Sequence, residues 1–260
     1  MNLIDRPDTL SHADHHPVTA TGLKTLGLIG GMSWESTVPY YQHINQAVAA
    51  RLGGLHSAKL LLASLDFAEI AALQTAGDWD AAAAQLAQAA RQLQAAGAQA
   101  LVICTNTMHC VAPAVQAAID IPLLHIADAT AQAARAAGHA TVGLLGTRFT
   151  MSQPFYRERL QQHGLRVLTP DAATQDELHR IIFEELCRGQ FLDASRQTYL
   201  NAIADLHAQG AQAVILGCTE IGLLVQAQHT ATPLLDTTVL HARAAAAWAL
   251  GDAPGPNTAP

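Results

Sequence analysis

Residues 210–220 read Gly-Ala-Gln-Ala-Val-Ile-Leu-Gly-Cys-Thr-Glu. A glycine that stops a helix leads into a short apolar strand and then into a polar turn carrying Cys218, Thr219 and Glu220. Residues 97–107 read Gly-Ala-Gln-Ala-Leu-Val-Ile-Cys-Thr-Asn-Thr. Aligned without gaps, Gly97 falls on Gly210, Ile103 on Leu216, Cys104 on Gly217 and Thr105 on Cys218. One strand thus occurs twice and ends twice in a polar turn. The key position holds a hydroxyl in the first copy and a thiol in the second.

A second matched pair extends the repeat. Thr-Leu-Gly-Leu-Ile-Gly-Gly at 25–31 matches Thr-Val-Gly-Leu-Leu-Gly-Thr at 141–147. The separations, 116 residues for this pair and 113 for the other, are nearly one offset, which marks two similar halves. Working outward, strands are expected at 25–29, 58–65, 101–104, 122–126, 141–145, 165–168, 213–216 and 233–235. Helices are expected at 38–52, 78–96, 153–163, 174–187, 192–209 and 237–250, and in a segment capped by Asp128 or Thr130 and ending at Gly138. Residues 66–75 read as a loop with one helical turn. Alternation of this kind makes an α/β fold with parallel sheets, whose ligands sit beyond the carboxyl ends of the strands. Two pseudo-symmetric halves facing each other put the Thr105 and Cys218 turns on opposite sides of one cleft.

Composition removes several functions. A chain of 260 residues buries a core as one large domain or two small ones. Fourteen basic against 21 acidic residues leave no basic patch for nucleic acid. No apolar run reaches the roughly 20 residues of a membrane helix, and the N-terminus lacks the apolar segment of a signal peptide. The expectation is a cytoplasmic protein with free thiols at Cys104, Cys110, Cys187 and Cys218, none in CxxC spacing. Lys24 and Lys59 are the only lysines and both head strands, so no lysine is placed to hold pyridoxal phosphate. The spacing Gly27, Gly30, Gly31 is not the dinucleotide fingerprint. No cofactor and no metal are expected. His12, Asp14, His15 and His16 lie in an extension, 1–22, read as a disordered solvated tail, and 251–260 read as a flexible Pro/Gly tail.

The residues left for chemistry sit at strand ends. Gly30 and Gly31 precede a helix whose free N–H groups suit an anionic group such as a carboxylate. An acid/base group on each side of a small molecule is what inversion at a carbon needs. A thiol serves as the base once deprotonated, and Cys218 at a strand-to-helix turn is read as a low-pKa position. Thr219, Asn106 and Thr107 are donors for an α-carboxylate. Glu220 reads as a helix-start carboxylate that also faces an α-ammonium. Cys104, one residue before Thr105, points to the opposite face of its strand and is expected to be buried. Cys110 and Cys187 read as packed core thiols. His109 and Trp34 are open between structural and site roles, as orienting group and pocket wall.

Gly-Gly-Met-Ser-Trp-Glu-Ser-Thr at 30–37, Thr-Asn-Thr-Met-His at 105–109 and Gly-Cys-Thr-Glu-Ile at 217–221 resemble the aspartate/glutamate racemase superfamily. The nearest branch is that of the bacterial broad-specificity amino-acid racemases and L-aspartate/glutamate-specific racemases, and the likeness spans about 24–250. It implies two flavodoxin-like lobes with the site between them, cofactor-independent racemisation of amino acids, and a homodimer. It also implies lobes made of 23–120 plus 221–250 and of 121–220. Catalysis falls to Cys218 and Thr105, and substrate binding to Met32, Ser33, Gln74, Asn106, Thr107, Thr219 and Glu220. Family members carry a cysteine in both motifs. Here the first is Thr105, a departure that the internal repeat locates independently. By the same likeness Cys218 takes the proton from the L-enantiomer, and Thr105 passes one back directly or through water. L-substrates are then expected to be handled far better than D. The positions of the Arg and Lys that hold a distal carboxylate fall near Gln74 and near Asp176 or Glu177. None is basic, so a range broader than aspartate and glutamate is expected, with Arg148 as a compensating cation. The alternatives are a one-thiol decarboxylase of the same superfamily and a non-catalytic amino-acid-binding protein.

Overall fold

The computed structural model describes residues 22–252. The extension with His12, Asp14, His15 and His16, and the tail beyond 252, lie outside the described residues. Eight strands appear where apolar runs stand in the sequence: β1 (Leu26–Gly30), β2 (Leu60–Ser64), β3 (Ala100–Ile103), β4 (Leu123–Leu124), β5 (Thr141–Gly146), β6 (Arg166–Leu168), β7 (Ala213–Gly217) and β8 (Leu234–Asp236). They form two wholly parallel sheets of four, ordered β2-β1-β3-β4 and β6-β5-β7-β8. The duplication is therefore structural: each half repeats one order, that of the first four strands of a flavodoxin-type sheet.

The central strands β1, β3 and β7 are buried at every position, as continuous apolar runs covered by helices on both faces must be. One face of the first sheet packs on Leu86, Ala90 and Leu93 of the helix Trp79–Ala95, the other on Tyr40, Ile44 and Val48 of the helix Trp34–Leu52. Most helices begin where a side chain can take the first free N–H groups. Asp66, Asp78, Asp171, Asp236 and Thr147 each accept one or more.

Two elements differ from the sequence reading. Residues 66–75 are not a loop with one turn. They form a ten-residue helix, Phe67–Ala76, capped by Asp66 and closed by Gly77. The helix Ile126–Ala136 is capped by His125, whose ring nitrogen accepts from the Ala127 N–H at 3.2 Å, and not by Asp128 or Thr130. Asp128 is instead engaged by Arg159 through two bonds of 2.7 Å. Thr130 donates back to the Ile126 carbonyl at 2.8 Å.

Sheet membership departs from the expected lobe limits at two strands. β4, inside 121–220, pairs with β3, and β8, inside 221–250, pairs with β7. The crossing is made by the helices that follow them. Ile126–Ala136 leaves the first sheet and packs with Val142, Leu144 and Ile215 of the second. Thr237–Leu250 leaves the second and packs with Leu26, Leu28 and Val102 of the first. This reciprocal exchange is fixed by His241, which touches both the Tyr40 hydroxyl (2.8 Å) and the Leu124 carbonyl (2.8 Å). Both polar turns, after β3 and after β7, thereby open into one space between the lobes.

Candidate active site

Gly31 shapes the first wall. Its φ is +83°, and a Cβ there would lie 2.2 Å from the Leu65 carbonyl oxygen, so only glycine fits. The expected anion cradle is in use, however, because the Gly31 N–H donates to Thr37 Oγ1 at 2.8 Å. On the second wall, a Cβ on Gly217 would meet the Leu145 carbonyl at 2.7 Å, so β7 can lie close to β5 just before Cys218.

A narrow cleft with a cavity volume of about 20 Å³ lies between these walls. Seven of the nine residues singled out from the sequence line it: Met32, Gln74, Thr105, Asn106, Thr107, Cys218 and Glu220. Ser33 and Thr219 stand behind the lining and touch it through Glu220. Ser33 Oγ donates to Glu220 Oε1 and Thr219 Oγ1 to Glu220 Oε2, both at 2.7 Å. Cys218 Sγ donates to Oε2 at 2.9 Å, and Cys187 Sγ lies 3.6 Å from Oε1. Glu220, 2 % exposed, thus accepts from two hydroxyls and two thiols. It makes no side-chain cap on the short helix that follows it, contrary to the reading of a helix-start carboxylate.

The Cys218 thiol is not the low-pKa group expected from its place in the chain. Burial pushes it well up, and the Glu220 carboxylate beside it pushes the same way. The low-pKa reading assumed a helix N-terminus facing the sulfur, whereas here the nearest partner is an anion. Cys104 is fully buried, packed among Leu28, Tyr40 and Val102, as alternation along the strand requires.

Thr105 lines the cavity opposite Cys218, held from behind. His109 Nδ1 meets the Thr105 carbonyl at 2.7 Å, and its Nε2 accepts from the Ile126 N–H at 3.2 Å. A carbonyl only accepts, so Nδ1 carries the proton and the ring is neutral. Burial, with His125 and His241 beside it, holds its pKa well below the usual value. His109 is therefore a brace for the turn, 1 % exposed and outside the cavity lining.

Two amides face the cavity with a free acceptor each. Thr237 Oγ1 donates to the Leu216 carbonyl at 2.8 Å, so its lone pair must take Asn106 Nδ2, 2.9 Å away. Asn106 Oδ1 is left buried without a partner. Gln74 Nε2 points to the Met108 thioether at 3.0 Å, a group that can only accept, and Gln74 Oε1 is likewise unpartnered. Thr107 joins the lobes through hydroxyl contacts to Thr147 (2.9 Å) and Thr150 (3.3 Å), which are themselves 3.2 Å apart.

Matching strand order, a shared cleft and thiol and hydroxyl turns facing each other agree with a family model described as Asp/Glu/Hydantoin racemase, which matches residues 29–245. The chain belongs to that family. A crystal structure of a Yersinia pestis protein provisionally assigned as an Asp/Glu racemase is 57 % identical, covering 87 % of this chain and 99 % of that one at a TM-score of 0.81. An aspartate racemase homologue from Pyrococcus horikoshii is 32 % identical with the same coverages and a TM-score of 0.75. A Francisella tularensis glutamate racemase, crystallised with D-glutamate, is 16 % identical over 88 % of this chain and 81 % of its own, at a TM-score of 0.58, and shares the fold. As a racemase-family protein with two parallel-sheet lobes, the chain is an isomerase acting on a small amino-acid substrate. Among the described residues no helix is long and apolar enough to cross a membrane, and none forms a cluster that could hold a metal.

Several lining residues were not singled out from the sequence. Phe67 lies in a helix that the sequence reading makes a loop, although Asp66 ahead of an apolar run is a cap signal. Thr147 stands at the repeat position of Gly31, so the duplication pointed to it. Ile182 and Phe183 carry no signal beyond an apolar helix face. Cys187, read as a core thiol, lines the cavity and reaches Glu220. Two candidates go the other way. Arg148 pairs with Asp176 at 3.0 Å on the surface, both side chains more than half exposed, and supplies no charge to the cavity. Trp34 is 66 % exposed and neither walls the cavity nor packs in the core.

Proposed function

We propose that this protein is a cofactor-independent amino-acid racemase in which Cys218 removes the α-proton and the Thr105 side returns one to the opposite face. The observation that carries this reading is that the two repeat-equivalent residues, Thr105 and Cys218, line one cavity from opposite lobes. With a raised pKa, the thiol needs an acceptor before it can act as a base, and Glu220 Oε2 is 2.9 Å from it. Glu220 takes the thiol proton as sulfur takes the Cα proton. The carbanion is held by the spare N–H of Asn106. Glu220 and Asn106 Oδ1 receive the α-ammonium. The Thr105 hydroxyl is a weak proton donor resupplied by water, so exchange at the Cys218 face outruns inversion. Enantiomers have an equilibrium constant of one in an achiral setting. The two directions therefore share one kcat/KM, and the imbalance appears as slow turnover both ways.

The protein is expected to act in the cytoplasm as a homodimer, in keeping with four free thiols. The test is α-proton exchange in D2O without pyridoxal phosphate, followed by NMR beside chiral chromatography. Exchange from L-amino acids with slower appearance of the D-form is the expected result, and absence of exchange from every amino acid overturns the reading. The apolar group Met32, Phe67, Ile182 and Phe183 in the lining favours one other reaction, decarboxylation with Cys218 protonating the carbanion. Release of CO2 from arylmalonates without amino-acid exchange would select it.

A further inference from the structure

We infer that a groove beside the Cys218 turn, separate from the inter-lobe cavity, is a second ligand site, built for a small primary amine with an apolar body, whose ammonium is held by Asp236 and Thr238. The groove has a volume of about 480 Å³ and runs between the helix Trp34–Leu52 and the start of the helix Thr237–Leu250. It reaches Leu216 and Thr219 but shares no lining residue with the inter-lobe cavity.

The internal repeat supplies a control. Pro39, Gln42 and His43 stand 116 residues before Phe155, Glu158 and Arg159, and Gly222 and Leu223 stand 113 after His109 and Cys110. Leu123 pairs with Leu101 as Leu234 pairs with Val214, which puts His125 on Asp236 and Asp128 on Val239. Those first-half residues, Asp128 aside, line a groove of their own, so the fold carries two equivalent grooves. In the His125 groove the charges are settled within the protein. Arg159 and His163 both meet Asp128, and the Gln116 amide is spent on the Ile121 carbonyl and the Leu123 N–H. In the Asp236 groove the acid has moved to the floor and has no such partner.

Asp236 Oδ1 accepts from the Thr238 and Val239 N–H groups at 2.9 and 3.2 Å. Oδ2 rests against Gly222, where a Cβ would lie 2.3 Å from it, and takes no hydrogen bond among the described residues. Thr238 lines the same groove, 2 % exposed, and its Oγ1 is buried without a partner. No Lys or Arg lines the groove, and His43 is its one basic group. Burial raises the pKa of the Asp236 carboxyl, against the pull of its backbone bonds and of nearby His43 and Thr238. A carboxylate oxygen and a hydroxyl, both unsatisfied, are complementary to an ammonium, which has only protons to give. A carboxylate ligand would face Asp236 instead. Pro39, Leu216, Leu223, Val225 and Leu234 supply the apolar surface for the rest of the ligand.

The full chain is titrated calorimetrically with isoamylamine and with isoamyl alcohol, its neutral counterpart. The amine is expected to bind roughly tenfold or more tightly than the alcohol, the range of a charge-assisted bond. Asp236→Asn keeps a cap oxygen for the helix and removes the charge, and should cost the amine about the same factor. Thr238→Val removes the unpartnered hydroxyl at constant shape, and should weaken the amine without lowering Tm. Should Asp236→Asn fail to fold, Thr238→Val and the alcohol comparison decide. Glu220→Gln should leave the amine affinity unchanged, because Glu220 faces the other cavity. Loss of amine binding in Glu220→Gln but not in Asp236→Asn would put the amine in the inter-lobe cavity and overturn the inference. Equal affinity for amine and alcohol, or no binding of the amine, overturns it as well.

Discussion

The two strand-end turns begin from one pattern and finish with opposite chemistry. In the repeat alignment Thr105 matches Cys218, Asn106 matches Thr219 and Thr107 matches Glu220. After β7, the thiol has an acidic neighbour within hydrogen-bond distance, itself steadied by Ser33 and Thr219. After β3, the equivalent of that acid is the Thr107 hydroxyl, which is spent on Thr147 and Thr150. A duplicated fold supplies two equivalent faces, and two substitutions make one face a base and the other a weak acid. Symmetry of the backbone therefore says where chemistry happens, and the side chains say in which direction protons move easily.

The largest test of this contrast is to remove each turn's key group in turn. Cys218→Ala should lower α-proton exchange from L-substrates by about 10² to 10⁴, the usual share of a positioned acid/base group. Thr105→Ala should leave exchange from L-substrates nearly intact while slowing appearance of the D-form. Equal losses in both assays for both variants would mean that the faces are not divided as described.

Acid should undo the Thr105 side first, through stability. Behind that turn lie His109, His125 and His241, whereas the repeat position of His109 is Gly222. Burial holds His125 and His241 down at about 4 and His109 well below its usual value. A depressed histidine stays neutral in the fold while the unfolded chain takes up its proton near pH 6.5. Stability is therefore fully present above 6.5 and falls as pH drops toward 4, by on the order of 3 kcal/mol for each such imidazole. Thermal unfolding between pH 7 and 4.5 measures it. His241→Phe, which removes one of the three, should flatten the slope, and an unchanged slope would refute the assignment.

The proton-acceptor role of Glu220 is a smaller effect to measure. Glu220→Gln keeps the shape and removes the basic oxygen. Loss of exchange by roughly 10²-fold is expected, with the remaining activity rising more steeply with pH as solvent hydroxide replaces the carboxylate. A loss confined to KM would instead make Glu220 an ammonium site only.

What the chain revealed in advance follows the range of the forces involved. Strands and their order came through because continuous apolar runs and a repeat offset are local, additive signals. That the Thr105 and Cys218 turns line one cavity came through because parallel sheets fix where strand ends meet. The pKa of Cys218 did not, since it depends first on burial, and then on the Glu220 carboxylate turning back onto the sulfur with Cys187 of another element beside it. Nor did the Phe67, Ile182 and Phe183 wall, because an apolar residue on an amphipathic helix looks the same whether it faces a core or a cavity. Arg148 was misplaced for a related reason: proximity in the loop says nothing of the Asp176 carboxylate waiting one helix away.

Replacing the weaker group by the stronger sharpens the comparison further. Thr105→Cys restores a thiol on both faces but no acid at the position of Thr107. Exchange from D-substrates should rise by about tenfold, less than a full general base contributes, because the new thiol has no carboxylate to take its proton. Adding Thr107→Glu should raise it again if Glu220 acts as described. No gain in either variant would place the limit elsewhere than in the Thr105 proton.

The smallest effect comes from the other matched pair of turns, where Met32 and Arg148 share a repeat position. Met32 is 3 % exposed and lines the cavity, while Arg148 faces solvent against Asp176. An ion pair that exposed contributes only about 0–1 kcal/mol. Arg148→Ala should leave exchange rates within about twofold for acidic and neutral amino acids alike, a change of less than 1 kcal/mol. Selective loss of aspartate and glutamate turnover would show that Arg148 swings inward to hold a distal carboxylate. That would restore a charged selectivity to the cleft and overturn the division between a buried, neutral Met32 side and a solvent-facing Arg148 side.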